Sequence, residues 1–382
     1  MGEMMPLPTE GMFVGRVWRP GIGPALVVHR DGRLVDVTAP AAPTMRDLLE
    51  MDDPAGWIAA QAGEDIGALA EFAVTAGGED AARLLSPADL QAIKASGVTF
   101  AASMVERVIE EQAAGDPDLA AGIRDRIGAA IGANLRGIVP GSDRAAEVAR
   151  ILKAEGLWSQ YLEVGIGPDA EIFTKCQPMA SVGWGAEVGL HPISRWNNPE
   201  PEIVLAVDSR GRIKGATLGN DVNLRDVEGR SALLLGKAKD NNASAAIGPF
   251  LRLFDAGYGL DDVRRAELTL RVEGTDGFVL DGRSLMDQIS RDPADLVAQA
   301  VGPHHQYPDG FMLYLGTLFA PTQDRDAPGQ GFTHHTGDVV TISEPALGAL
   351  TNTVRLSTEC PPWRFGAAAL MRNLAGRGLL GA

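Results

Sequence analysis

The segment with the most to offer chemically reads NNPEPEIVLAV and is followed, one hairpin later, by LGNDVNLRD. Glu200 and Glu202 stand two apart at the start of an expected strand, where alternate side chains share a face. Pro199 and Pro201 bracket Glu200 and stiffen the backbone that presents the pair. Asp221 comes nineteen residues later, just after the hairpin's return strand, which can bring it beside them. Three converging carboxylates raise one another's pKa unless a cation intervenes. Oxygen-only ligands select a hard divalent ion, Mg²⁺, Mn²⁺ or Ca²⁺, over zinc. The plainer alternative is two solvated positions on one sheet face and a turn aspartate bonding its own backbone. Asn220, Asp221, Asn223, Arg225 and Asp226 crowd more polar chemistry into one short stretch than a turn requires. In LLLGKAKDNN, Lys237 and Lys239 share a face if the piece is extended. A lysine beside a metal can shuttle a proton or hold a developing enolate; the bland alternative is a loop lysine paired with Asp240.

These residues need elements to position them. The N-terminal stretch alternates short apolar runs with turns, and Asp31-Gly32 in VVHRDGRLVDV is a hairpin signal. Residues from about 45 to 93 carry helical spacing, so 1–95 reads as a small N-terminal α+β domain. The region 101–156 is the longest helical section, with a Met104, Val105, Val108 and Ile109 stripe that reads as core. A Ser142-Asp143 cap opens its last helix. Beyond Gly156 the texture changes to EIFTK, EIVLAVDSRGRIKGATL, AELTLRVEG and GDVVTIS, which predicts a mostly antiparallel β sandwich or barrel. DSRGR is a hairpin turn.

Composition bounds the function. The chain has 382 residues, 45% apolar and 22% charged, with net charge −16. That balance fits a globular protein, and its acidity disfavours nucleic acid and anionic membrane as partners. Cys176 and Cys360 are too few for a disulfide scaffold and read as reduced thiols. MGEMMPLPTEGMF lacks the layout of a secretory signal and no apolar run is long enough to span a bilayer, so a cytoplasmic protein is expected. The pairs His304-His305 and His334-His335 lie in polar, loop-like contexts and read as surface or interface residues. Trp184 lies within VGWGAEVG and Trp196 follows it, a stretch that can form a loop closing over a pocket.

The order of motifs resembles the fumarylacetoacetate hydrolase superfamily. Its elements are Glu200-Pro201-Glu202, Gly219-Asn220-Asp221 with Arg225-Asp226, Lys239 with Ile247-Gly248-Pro249, Gly316-Thr317, and Gly337-Asp338-Val339-Val340. The resemblance runs over roughly residues 160–360. It implies a mixed β-roll or barrel catalytic domain over 96–382, with the helical region as an insertion, after the small N-terminal α+β domain. It also implies Mg²⁺ held by Glu200, Glu202 and Asp221, a small-molecule 2-oxo acid as substrate, and a homodimer or higher oligomer. EIFTKCQPMASVGWGAEVG with WNNPEPE is most similar to the branch that dehydrates 2-keto-3-deoxy pentonates to 2-oxoglutarate semialdehyde in pentose catabolism. Lys239 then matches the active-site lysine and Glu171 a carboxylate near the metal, either of which can move the C3 proton. Asn220, Arg225, Gly316 and Thr317 become substrate-binding candidates, Thr317 matching a threonine at the substrate's carboxylate end.

Acylpyruvate hydrolases of the superfamily carry H-x-x-E on a lid helix. The equivalent stretch here is Ser103-Met104-Val105-Glu106, with Ser in the His position, which argues against C–C hydrolysis. Ser103 and Glu106 are expected at the leaving hydroxyl and Arg107 at the substrate's polar tail. Two readings compete with the dehydratase: an acylpyruvate hydrolase on the same scaffold, and a silent β domain that only binds a metabolite.

Overall fold

A computed structural model of the chain describes residues 7–73, 80–100, 138–319, 321, 323–327 and 331–380. Ser103, Glu106, Arg107 and the Met104 stripe lie outside the described residues. Sixteen strands are seen among those described. They are β1 (Phe13–Arg19), β2 (Gly23–Arg30), β3 (Arg33–Asp36), β4 (Glu64–Ala68), β5 (Arg83–Leu85), β6 (Ala92–Gly97), β7 (Glu171–Cys176) and β8 (Glu187–Leu190). After these come β9 (Pro201–Val207), β10 (Ile213–Asp221), β11 (Ala245–Leu253), β12 (Glu267–Glu273), β13 (Val279–Leu285), β14 (Phe311–Tyr314), β15 (Val339–Glu344) and β16 (Gly348–Leu356).

The large sheet runs β4-β3-β2-β1-β11-β10-β9-β14-β6-β7, with β5 also on β1, and a smaller one runs β13-β12-β15-β16-β8. Pairing is antiparallel except for β14 with β6 and β16 with β8. This mixture of helices and mainly antiparallel sheets is the α+β class expected. Each strand's pattern suits its place. β9 is buried along its whole length, as a central strand covered on both faces must be. β12 alternates exposed and buried positions, so one face of the small sheet meets water. Ile203, Leu205 and Val207 point between the sheets toward the core that holds Leu268, Leu270 and Ile342. Val204 and Ala206 point the other way, into the core shared with Met45, Leu48 and Tyr314.

The hairpins form where turn chemistry announces them. Asp31 and Gly32 both have positive φ, 48° and 77°, between β2 and β3. Between β9 and β10, the Asp208 carboxylate accepts from the backbone N–H of Arg210 and Arg212. Ser142 caps the helix Asp143–Ala154, its Oγ accepting from Ala145 N–H.

The helical reading of residues 45–93 needs correction. Helices occupy Met45–Glu50, Pro54–Ala60 and Leu69–Phe72, but β4, β5 and the first residues of β6 lie in the same stretch. Sheet pairing with β3, β1 and β14 overrides the weak local helical preference there. Through β1–β11 and β6–β14 the large sheet continues without a break across residue 95. Both cysteines are buried and unbridged. No helix among the described residues is long and apolar enough to cross a membrane.

Strands β9 and β10 approach closely at Gly219, which sits opposite Glu202 in the register. A Cβ at Gly219 would overlap the Tyr314 ring and the Val204 side chain. Tyr314 has little room to yield, since its hydroxyl donates to Ala246 O at 2.7 Å. Gly219→Ala is expected to destabilise the fold by about 1–3 kcal/mol, seen as a lower urea midpoint with an unchanged m-value.

Candidate metal centre

The pleat of β9 and the end of β10 carry out the arrangement expected of the acids. Glu200 immediately precedes β9, Glu202 is its second residue and Asp221 ends β10. One oxygen from each lies within 4.8 Å of the others, and all three residues are buried. They are not solvated sheet positions, nor is Asp221 a surface turn residue. Asp221 N–H donates to Glu200 O, and the Asn220 side-chain oxygen accepts from Glu200 N–H, so backbone bonds lock the two segments together.

Each carboxylate has a distinct set of partners. Glu202 Oε2 accepts from Gly316 N–H at 2.6 Å. Glu200 Oε1 accepts from the Asn223 amide at 3.0 Å, and Glu200 Oε2 from Lys239 Nζ at 3.1 Å. Asp221 faces two ammonium groups, with Lys175 Nζ 2.7 Å from Oδ1 and Lys239 Nζ 3.3 Å from Oδ2. Glu228 Oε2 is a further 3.7 Å neighbour of Lys239. The electrostatics follow from these contacts. Burial, with Asp221 and Glu200 close by, drives Glu202 well above the usual carboxylate range. Burial also pushes Asp221 upward, but Lys175 and Lys239 outweigh it and hold that acid below its ordinary value. For Lys239, burial favours the neutral form, yet Asp221, Glu200 and Glu228 raise its pKa well above the ordinary lysine value. Lys239 is therefore an ammonium at neutral pH.

A buried, oxygen-only donor set with an excess of negative charge fits Mg²⁺, Mn²⁺ or Ca²⁺. Burial first, and Asp221 and Glu200 after it, raise the Glu202 pKa, and Lys239 does not offset them.

Other candidates fall around this centre. Lys239 ends the short helix Leu235–Lys239, so it and Lys237 do not share an extended face; Lys239 is buried and Lys237 exposed. Lys239 Nζ lies 5.5 Å from the centroid of the Phe173 ring on β7. Glu171 opposes Gly97, and Phe173 opposes Ala95, in one register, so the Glu171 side chain shares the face of Phe173. Glu171 is not in the carboxylate cluster. Gly316 needs its positive φ of 87° and its bare α-carbon, because a Cβ would collide with Thr99 Oγ1. Thr317 is part-buried, its hydroxyl accepting from Phe319 N–H. The Arg225 guanidinium stacks 4.3 Å over the Trp196 ring, while Asp226 accepts from Ser194 Oγ and Arg195 N–H.

Two expectations are overturned. Trp184 is a core residue, because Gly183 lies hard against the Leu85–Ser86 backbone and seats the indole inside. His334 is buried rather than superficial, its Nδ1 3.0 Å from Asp338 Oδ2, which Arg325 also engages at 2.6 Å. His304 and His305 keep the exposed positions expected of them, and His335 is half-buried. The residues that sequence reasoning missed are Lys175 and Glu228. Lysine at a position expected to be buried in a strand was the available signal for the first.

Comparison with known proteins adds the lineage. Residues 129–355 match the model of the fumarylacetoacetate (FAA) hydrolase C-terminal family. A Haloferax volcanii protein named probable 2-keto-3-deoxyxylonate dehydratase is 29% identical over 194 residues, 51% of this chain and 63% of that protein. The 2-dehydro-3-deoxy-D-arabinonate dehydratase of Saccharolobus solfataricus is 28% identical over 188 residues, 48% of this chain and 58% of its own. The matches thus span less than two thirds of these curated relatives. A solved structure described as 2-keto-3-deoxy-D-arabinonate dehydratase complexed with magnesium and 2,5-dioxopentanoate shares the fold, with a TM-score of 0.63 at 19% identity over 90% of this chain and 99% of that one.

The pKa of Glu202 sets a pH signature for the metal-free protein. A carboxyl whose folded pKa is raised binds its proton more tightly folded than unfolded. It therefore costs stability as pH rises from the ordinary glutamate value, about 4.3, through its folded pKa. Lowering the pH through that window should raise the melting temperature by about 1–3 °C, an increment that Glu202→Gln removes. An unaltered slope in the variant would locate the proton elsewhere.

Proposed function

The chain belongs to the fumarylacetoacetate hydrolase family, and we propose that it is a metal-dependent hydro-lyase dehydrating a 2-keto-3-deoxy pentonate to 2-oxoglutarate semialdehyde. One observation carries this reading: three buried carboxylates converge within 4.8 Å beside an ammonium group that three acids keep charged. The dehydratase names of the two relatives supply the substrate class.

Glu200, Glu202 and Asp221 would hold the ion. When bound, Mg²⁺ supplies Lewis acidity, which makes the C3 proton of a 2-oxo acid easier to remove. The protein's own groups divide the remaining work. Lys239 enters as a cation, so it suits holding negative charge and handing a proton to the departing C4 hydroxyl rather than removing the C3 proton. Glu171, on the face of β7 that carries Phe173 under Lys239, is the carboxylate assigned to accept the C3 proton. Loss of that proton and of the C4 hydroxyl releases water and leaves a C3–C4 double bond. A proton leaving C5 and one returning to C3 give a C4–C5 enol, and loss of its hydroxyl proton with protonation at C4 then produces the terminal aldehyde. Gly316-Thr317, beside Glu202, is assigned to the substrate's carboxylate end, and Asn220 and Arg225 are kept as further substrate-binding candidates. Ser103, Glu106 and Arg107 keep their proposed places at the leaving hydroxyl and the substrate's tail.

The test is direct. Purified protein given a 2-keto-3-deoxypentonate should form the semialdehyde with Mg²⁺ and stop on chelation. Pyruvate from an acylpyruvate instead would move the protein to the hydrolases. Glu202→Gln should lose metal binding and turnover together. Lys239→Met should keep the metal yet lose roughly 10²–10⁴-fold in kcat, in line with acid–base catalysis.

A further inference from the structure

Two lysines address Asp221, and they are held in opposite ways. Lys239 Nζ rests on carboxylates alone: Glu200 Oε2 at 3.1 Å, Asp221 Oδ2 at 3.3 Å and Glu228 Oε2 at 3.7 Å. Lys175 is fully buried and wired to the backbone. Its ammonium donates to Val222 O and Lys239 O, each at 3.1 Å, and stands 2.7 Å from Asp221 Oδ1. The two acceptors of its hydrogen bonds are main-chain carbonyls of the segments that carry Asp221 and Lys239, and its contact with Asp221 Oδ1 is an ion pair. Ser244 Oγ donates to the same Lys239 carbonyl at 2.6 Å, fixing it from another side.

We propose that Lys175 is the positioning residue of the metal centre: it clamps one oxygen of Asp221 and the backbone at Lys239, so that the other Asp221 oxygen stays turned toward Glu200 and Glu202. Lys239 is then the movable cation, bridging two ligands until a divalent ion takes over their charge. The inference rests on the metal reading of the site, but says more. Simple charge counting makes both lysines competitors of a cation, so removing either should tighten metal binding. A positioning role reverses the sign for Lys175 alone, because a carboxylate free to rotate is a poorer ligand; loss of such supporting contacts typically weakens metal affinity 10–100-fold.

The experiment titrates Mn²⁺ into the full-length protein and four variants, following free Mn²⁺ by electron paramagnetic resonance. Lys239→Met should bind Mn²⁺ as tightly as the unaltered protein or more tightly. Lys175→Met should bind it at least tenfold more weakly. Lys175→Gln keeps N–H donors for the two carbonyls, so it is the variant read if the methionine replacement does not fold. Lys237→Met, at the exposed lysine of the same helix, should leave the affinity unaltered. Melting temperatures without metal separate loss of packing from loss of the site. A folded Lys175 variant that binds Mn²⁺ within twofold of the parent, or more tightly, overturns the proposal. Failure of the unaltered protein to bind Mn²⁺ overturns the metal reading itself.

Discussion

Mutual repulsion among three carboxylates that burial has stripped of water governs this structure. Charges at such separations in a low-dielectric setting interact far more strongly than in solution, and the fold must answer with positive charge. It does so unequally. Asp221 receives two ammonium groups and keeps its charge; Glu200 shares one of them and takes an amide from Asn223. Glu202 takes a backbone N–H from Gly316 and holds its proton more readily than an ordinary glutamate. The opposite shifts of Glu202 and Asp221 are produced by their neighbours, not by the acids themselves.

The scaffold makes that crowding tolerable. β9 is buried on both faces and antiparallel to β10, so the carboxylates sit where strand ends and loops can converge on them. Asn198 and Asn223 form a two-bond backbone bridge, and the Asn223 amide also donates to Glu200. Thr99 Oγ1 donates to Leu315 O and steadies the segment whose next N–H reaches Glu202. Polar groups this deeply buried are stable only as a connected set.

Much of this was legible in the sequence where local chemistry and period agree. The E-x-E spacing sets two side chains on one face, DSRGR makes a turn, and the acid that ends the return strand must come back beside them. Asp31-Gly32 and the Ser142 cap declared themselves for the same reason. What stayed hidden depends on partners far away in the chain. Nothing around Lys175 says that its acceptors will come from residues 221, 222 and 239. β6 reads as helical until β14 arrives to pair with it in parallel. His334 looks superficial because Asp338 and Arg325, which make its burial tolerable, signal nothing by spacing. The resemblance to a known family brought the roles proposed for Glu171 and Thr317, which no pattern of alternation could have supplied.

The position of β1 has its own implication. It lies between β2 and β11, and its register holds Phe13 and Val14 against Arg252 and Leu251. Any shortened form starting beyond residue 19 would strip β1 from Leu251 and Arg252 and leave that end of a wholly buried strand as a raw sheet margin. Unpaired N–H and C=O groups on an apolar strand invite intermolecular pairing. The opening residues thus act as a sealing strip for the strand that flanks β10, and versions trimmed at the front should precipitate rather than merely lose activity.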